Sequence, residues 1–462
     1  MSTAQDKTPW YKLLNRYHWF VLVVAALGWL FDTMDQQLFN LARTPAITEL
    51  LLGKDATPAQ IAAEQPRIAN HGAIATSIFI LGWATGGLFF GILGDRIGRA
   101  KVMLITILMY SLFTGLSALS QSVYDFAFYR FLTGLGVGGE FAVGVALVAE
   151  VMPEGARTHA LGWLQTLSAV GNIMAALINM SLGIAEGEGR LGDWAPWRLM
   201  FVIGALPALL AIMVRWRLKE PERWQHAVVE EGAKQKYKPG SLSELFGDPR
   251  WRRNAFVGLA LAIPGVVGLW GIGFFSFDFV RAVFRPHYEA QGLSPEEIRG
   301  KLTTLVGIVS ILQNLGGACG IYFFKTVTQK TNRRTAFGIS FVLALLATAA
   351  TFWFLDSFYA VFWMIPMMGF CQLSLFGGYA IYFPELFPTR LRSTGTSFCY
   401  NVGRYVAALG PLVMGQLIEK VYGHHPQILA WRYTGVTMSL FFLLGLLALP
   451  FAPETKDKPL PE

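Results

Sequence analysis

The chain has 462 residues, 53% of them apolar and 14% aromatic, with only 15% charged. A soluble globular chain carries about 25% charged residues. With a mean hydropathy of +0.43, the composition excludes an ordinary soluble domain and points to a polytopic helical membrane protein. The net charge of +8 reflects where the Lys and Arg lie, so it does not argue for nucleic acid.

In chain order, runs of about 20 apolar residues predict an all-α membrane protein of twelve transmembrane helices. They lie near 18–41, 72–94, 102–120, 124–149, 158–184, 197–217, 254–281, 301–324, 336–355, 358–383, 393–418 and 432–452. A polar tail precedes the first run, which is too long for a signal-peptide core and has no small-residue cleavage site after it. About 25 Lys and Arg fall on one side of these spans and about 11 on the other, with Arg130 and Arg404 inside them. By the positive-inside rule both termini are cytoplasmic, and a bacterial inner membrane is the expected location. Cys319, Cys371 and Cys399 fall within spans, so they read as small core residues and not as a disulfide or metal framework.

The first span raises the central question. "GWLFDTMDQQLFNLA" (28–42) puts Asp32, Asp35, Gln36, Gln37 and Asn40 at membrane depth, where a carboxylate costs about 2.5 kcal/mol or more. On a helix Asp32, Asp35, Gln36 and Asn40 share roughly 140° of arc, with Gln37 outside it. The expectation is one polar stripe lining a water-filled cavity. Arg130, in "RFLTGLGVGGE", is the candidate counter-cation, and Glu140 also sits at membrane depth. Arg404, in the middle of span eleven, demands an anionic partner. Its repeat counterpart is the neutral Asn172, and a guanidinium can hold a carboxylate bidentately, which suits anionic cargo. A permanent bridge from Arg404 to Glu140 or Asp35 is the alternative. Trp270, Phe274, Phe275 and Phe277 are candidate pocket aromatics, joined by Gln165, Asn172, Gln313, Asn314, Gln372, Tyr379, Tyr400 and Asn401.

An internal duplication organises the chain. "EVMPEGAR" (150–157) returns as "ELFPTRLR" (385–392), "AVGNIMAAL" (169–177) as "NVGRYVAAL" (401–409), "PWR" (196–198) as "AWR" (430–432), and "EPERW" (220–224) as "APETK" (452–456). Chance recurrence could cover one match but not four in order. The expected layout is a six-helix bundle over 1–217, a cytoplasmic linker over 218–253 and a second bundle over 254–462. Two parallel halves describe a rocker-type secondary transporter with its substrate site near the bilayer midplane.

"GILGDRIGRAK" (91–101) joins spans two and three. Its G-x-L-x-D-R-x-G-R form resembles the major facilitator superfamily, over the whole chain. Glu150…Arg157, Glu385…Arg392, "EPERW" and the "PETK" tail resemble the sugar-porter-like branch. The resemblance implies an inter-half charge network of Asp95, Arg96, Arg99, Glu150, Arg157, Glu222, Arg223, Glu385, Arg392 and Glu454 that closes the cytoplasmic side. It also implies that Asp32 pairs with Arg130 in proton coupling, a static bridge being the alternative. The D-x-x-D spacing of Asp32 and Asp35 resembles aromatic-acid/proton symporters, and "GLGVGGEFAVG" with Glu140 resembles niacin-type transporters. The position of Arg404 resembles organic-anion transporters. "FKTVTQKTNRRT" (324–335), the second-half counterpart of the loop motif, keeps its basic residues but has no Asp.

The expected function is proton-coupled symport of a small organic anion, such as an aromatic carboxylate, by alternating access. The proton is the coupling ion, no other cofactor is expected, and the working unit is a monomer in the bilayer. Span seven lacks the paired-Gln, Asn and paired-Tyr pattern of sugar porters. A sugar or polyol porter, an organic-cation carrier and a transporter-shaped sensor stay as alternatives. An enzyme is not expected, since no nucleophile–base pair, nucleotide loop or metal-ligand cluster occurs at useful spacing.

Overall fold

The computed structural model describes residues 9–220, 242–388 and 391–456. Every regular element among these residues is helical. The first six membrane passages are α1 (Arg16–Leu52), α2 (Gln65–Ile97), α3 (Arg99–Ser117), α4 (Val123–Val151), α5 (Glu154–Gly187) and α6 (Pro196–Gly204, continued by Ala208–Arg217). The second six are α7 (Pro249–Glu289), α8 (Pro295–Lys330), α9 (Arg333–Phe354), α10 (Phe358–Glu385), α11 (Arg392–Ala407, continued by Leu409–Gln416) and α12 (Gln427–Phe451). An even number of passages returns both ends of the chain to one face, called here the termini face.

Most passages outrun their apolar cores, because helix ends project into headgroups and are closed there by polar side chains. Asn15 accepts from the backbone N–H of His18 at 2.8 Å to start α1, and Ser294 with Glu297 forms a capping box before α8, with Pro295 in the first turn. Several boundaries therefore shift, those of α1 and α7 among them. α1 runs on through Pro45 to Leu52, beyond the predicted end at 41. α7 begins at Pro249, inside the stretch expected to be linker, which also contains a short helix at Leu242–Gly247.

The duplication is written into the packing. A Cβ on Gly82 or Gly86 of α2 would lie 2.2 or 2.0 Å from the carbonyl oxygen of Phe131 or Leu135 on α4. Gly316 and Gly320 of α8, each 234 residues further on, meet the carbonyls of Pro366 and Phe370 on α10 at 2.0 Å in the same way. Small residues at these crossings let the backbones touch, which is how membrane helices gain packing without a hydrophobic driving force. The bundles are joined by α2 packing on α11 and α5 on α8.

α7 is not regular throughout. Around Gly265, Gly268, Gly271 and Gly273 it passes through a π turn (Val267–Ile272) and a 3-10 turn (Gly273–Phe275). Here Gly271 meets Gly410 of α11 backbone to backbone. Non-α turns of this kind concentrate at functional positions of membrane helices.

Among the described residues, several polar contacts between the halves lie toward the face remote from the termini. Asn179 donates to the Thr303 carbonyl at 2.8 Å, Arg299 bridges to Glu186 at 3.0 Å, and Gln416 reaches Asn70 at 3.2 Å. The two halves are closed against one another on that face.

Candidate substrate and proton sites

The polar stripe of α1 is buried within the protein. Asp32, Asp35 and Asn40 are fully buried and the two acids face α3 and α4 of their own bundle. Asp35 accepts from the Thr114 hydroxyl at 2.6 Å and lies 3.7 Å from the Arg130 guanidinium. Asp32 instead faces Glu140, whose carboxylate fills the space over Gly28, one turn before Asp32 on α1. The expected Asp32–Arg130 pair is thus replaced by two pairs, Asp35 with Arg130 and Asp32 with Glu140. Helical geometry explains the exchange: Asp35 and Arg130 both lie on the part of their helices nearer the remote face, while Glu140 is almost three turns further along α4. Arg130 is braced by Ser117 at 2.6 and 3.1 Å and stacks over Phe201. Gln37, read as lying off the stripe, crosses to the other half, donating to Ser310 of α8 at 2.6 Å.

Arg404 lies between the halves, and only 6% of it is exposed. Its guanidinium sits 4.1 Å from the ring of Trp83 on α2 and 4.5 Å from that of Tyr400, and it donates to Asn401 at 2.6 Å. Among the described residues no carboxylate pairs with it, so the permanent bridge to Glu140 or Asp35 is not formed. Trp83 stands edge-on to Trp270 at 5.0 Å, and Trp270 is edge-on to Phe274 at 4.9 Å and near Phe79. A cation and a wall of aromatic rings therefore share one place, with α2 and α7 supplying the rings and α11 the charge. A buried guanidinium held by π faces and one amide keeps donors for a planar oxyanion.

The other pocket candidates divide. Asn172 and Asn314 bond to each other across the halves at 2.8 Å. Gln313 donates to the Gly273 carbonyl at 3.3 Å, bracing the irregular segment of α7. Gln372 donates to Thr348 at 2.9 Å, although its carbonyl end lies against Gly273. Tyr379 is engaged elsewhere: its hydroxyl donates to the Leu261 carbonyl at 2.7 Å and its ring is stacked on Phe383 and Phe337. Cys371 and Cys399 are buried as expected, but Cys319 is exposed on the outside of α8. Glu222 and Arg223 lie outside the described residues, as do the side chains of Gln165, Asp95, Arg96, Glu150, Arg157 and Arg392.

On the remote side of the aromatic wall is a charge cluster that the sequence reading missed. Arg43 is fully buried and its guanidinium bonds to Asp278 of α7, to Thr76 at 3.0 Å and to the Phe274 carbonyl at 3.4 Å, stacking over Phe275. Asp278 also accepts from Thr44 and from Arg281 at 3.2 Å, and Arg281 donates to the Leu41 carbonyl at 2.8 Å. A first span ending at 41 left Arg43 outside the membrane. Asp278 did lie inside a predicted span, and an ionisable residue at that depth is itself a signal.

At the termini face, the described acids of the expected inter-half network are held within their own half. Glu385 takes Arg333 at 2.8 and 3.0 Å and Thr455 at 2.6 Å. Glu454 accepts the backbone N–H groups of Arg333 and Arg334 at the start of α9. Its structural equivalent is Glu220, and not the Glu222 that aligning EPERW with APETK pairs with it: Glu220 accepts from Ala100 and Lys101 at the start of α3. Burial pushes the Glu454 carboxyl up, but donation from the N–H groups of Lys456, Arg334, Arg333 and Thr455 outweighs it, leaving its pKa below the ordinary glutamate value. Arg99 opens α3 as Arg333 opens α9, and its guanidinium lies against Gly94.

Two helical bundles related by duplication, with a buried arginine and an aromatic wall between them, define a secondary transporter of the twin-bundle class. The family model for sugar and other transporters matches residues 53–246, and that for the major facilitator superfamily matches residues 272–462. The chain belongs to the major facilitator superfamily, and it is an integral membrane transporter, not an enzyme. It is 29% identical to the cis,cis-muconate transport protein of Acinetobacter baylyi over 74% of this chain and 77% of that one. It is 28% identical to the sialic acid transporter NanX of Escherichia coli, covering 90% and 91%. It is 26% identical to the niacin transporter NiaP of Acinetobacter baylyi, covering 89% and 90%. Among solved structures, the D-xylose-proton symporter shares the fold with a TM-score of 0.67 at 17% identity, covering 96% of this chain and all of that one. A bacterial homologue of the lysosomal transporter Spinster, inward-facing and occupied, gives 0.66 at 19% identity, covering 95% and 96%.

Proposed function

We propose that the chain carries a small organic anion, of the planar carboxylate type, in symport with protons across a bacterial inner membrane, its termini in the cytoplasm. The observation that carries the reading is Arg404: a buried guanidinium between the halves, faced by Trp83 and Tyr400, with no carboxylate beside it among the described residues. A carboxylate docked there would find a bidentate partner, and Trp83, Trp270 and Phe274 would flank a flat body. Muconate and sialic acid, named for two relatives, are organic acids, which agrees with an anionic cargo.

Proton coupling is assigned to α1 and α4. Asp32 and Glu140, side by side and buried, relieve their mutual repulsion by sharing a proton. Gaining or losing it changes the charge of the α1–α4 packing next to the Asp35–Arg130 pair. Because Gln37 of the same helix bonds to α8, a shift of α1 reaches the other half directly. In the cycle, the anion enters from the remote side, neutralises Arg404, and the halves rock to release it at the termini face.

The test is binding and uptake of a panel of aromatic and conjugated carboxylates, with their amides and with sugars as controls. Arg404→Ala is expected to lower carboxylate affinity roughly 10- to 100-fold, the range for losing charge-assisted hydrogen bonds. Arg404→Lys keeps part of it. Transport of neutral sugars, or of organic cations improved by Arg404→Ala, would overturn the anionic reading.

A further inference from the structure

The face remote from the termini holds a cavity of 390 Å³ between the halves, within the size range of small-molecule sites. Thr44 and Arg281, both bonded to Asp278, belong to its wall, so the Arg43–Asp278 cluster separates it from Arg404. Most of its inner acids are engaged. Glu49 accepts from the Trp197 indole at 2.8 Å and from Arg198 at 3.1 Å, and Glu186 takes Nε of Arg299 at 3.0 Å. Asp55, Asp193 and Glu296 are exposed residues at its rim.

Arg285 stands apart. It lines the cavity with a side chain only 21% exposed, and among the described residues its carboxylate neighbour is Glu289 at 3.9 Å, beyond hydrogen-bond reach. Among the described residues its guanidinium makes no hydrogen bond. Arg299 lines the same cavity. Two guanidiniums line one hollow: Arg299 is held through Nε by Glu186, while Arg285 has its donors unspent among the described residues. An anion between them would satisfy both.

We propose that this cavity is a second anion-binding site, in which Arg285 and Arg299 hold the carboxylate of a small organic acid on the remote side of the closed halves. It holds the anion above the Arg43–Asp278 cluster before the halves open. The site stands on its own geometry and does not depend on Arg404.

The experiment is calorimetric titration of the full chain in nanodiscs with sodium benzoate and, separately, with inorganic phosphate. Benzoate is expected to show a binding component that Arg285→Gln weakens at least about 10-fold, that Arg285→Lys partly restores, and that survives Arg404→Ala. Unliganded melting temperatures equal to wild type show that the variants are folded; Arg299→Gln is the second variant if Arg285→Gln is not. No benzoate binding by wild type at millimolar concentrations, or binding unchanged by both Arg285→Gln and Arg299→Gln, overturns the proposal. Arg285-dependent binding of phosphate without benzoate overturns the organic-acid assignment. If Arg285→Gln removes a component while Arg404→Ala changes nothing, the central-site reading fails and this one stands.

Discussion

Arg43 and Asp278 occupy equivalent positions of the two repeats, 235 residues apart, and bond to each other across the boundary between the halves. Each repeat supplies one end of the same contact, so the pair lies near the axis relating the bundles. Arg43 also holds the Phe274 carbonyl, and the ring of Phe274 packs on Trp270. The closure of the remote face and the wall of the candidate substrate site therefore share a residue.

Breaking a buried pair by removing one partner typically costs about 3–5 kcal/mol. Asp278→Asn should therefore shift the carrier strongly toward the form open at the remote face, and the swap of Arg43→Asp with Asp278→Arg should move it part of the way back. Spin labels on Leu119 and Tyr359, exposed at the remote ends of α3 and α10, report the separation in a background with the three cysteines replaced. A distance distribution that Asp278→Asn leaves untouched would show that the pair does not hold this face shut.

The two carboxylate sites of α1 separate by experiment. Asp32→Asn and Glu140→Gln should each abolish uphill, proton-driven accumulation while leaving exchange of labelled for unlabelled substrate. Asp35→Asn strands the Arg130 charge in the bundle and should lower folding yield as well as transport. Uptake assays in energised vesicles, beside counterflow in de-energised ones, check this. Undiminished accumulation by Asp32→Asn rules out the Asp32–Glu140 pair as the proton site.

Glu454 gives a pH dependence with a defined sign. Its folded pKa is depressed, so its stabilisation is present above the unfolded value of about 4.3 and is lost as pH falls through the lower folded value. Glu454→Gln should leave a shallower fall in melting temperature between about pH 6 and pH 3 than wild type shows. Glu220→Ala, which uncaps the equivalent helix, should lower stability by about 1 kcal/mol near neutral pH, as other lost caps do. Thermal unfolding in detergent measures both, and parallel acid limbs for wild type and Glu454→Gln would be the contrary result.

Much of this molecule was legible in its amino-acid order. Apolar run length sets the passages, since hydrocarbon demands helices of fixed minimum length. The recurrence of "PWR" as "AWR" and of the E-x6-R elements set the twofold layout. The glycine crossings at Gly82 and Gly316 show that repeat in three dimensions. Arg404 was legible for the same reason, because a lone charge in a membrane helix has to serve some purpose.

Partnership was not legible. Sequence spacing placed Asp32, Asp35, Arg130 and Glu140 in the membrane, but which carboxylate meets the guanidinium depends on the depth and rotation of α4 against α1. Only the packed bundle decided that Asp35 takes Arg130 and Asp32 takes Glu140. The same holds for Arg43 and Asp278, far apart along the chain, and for Tyr379, whose hydroxyl found a backbone carbonyl. A one-dimensional pattern fixes what must be buried; which buried groups touch is decided by helix packing, because direct contacts reach only a few ångströms.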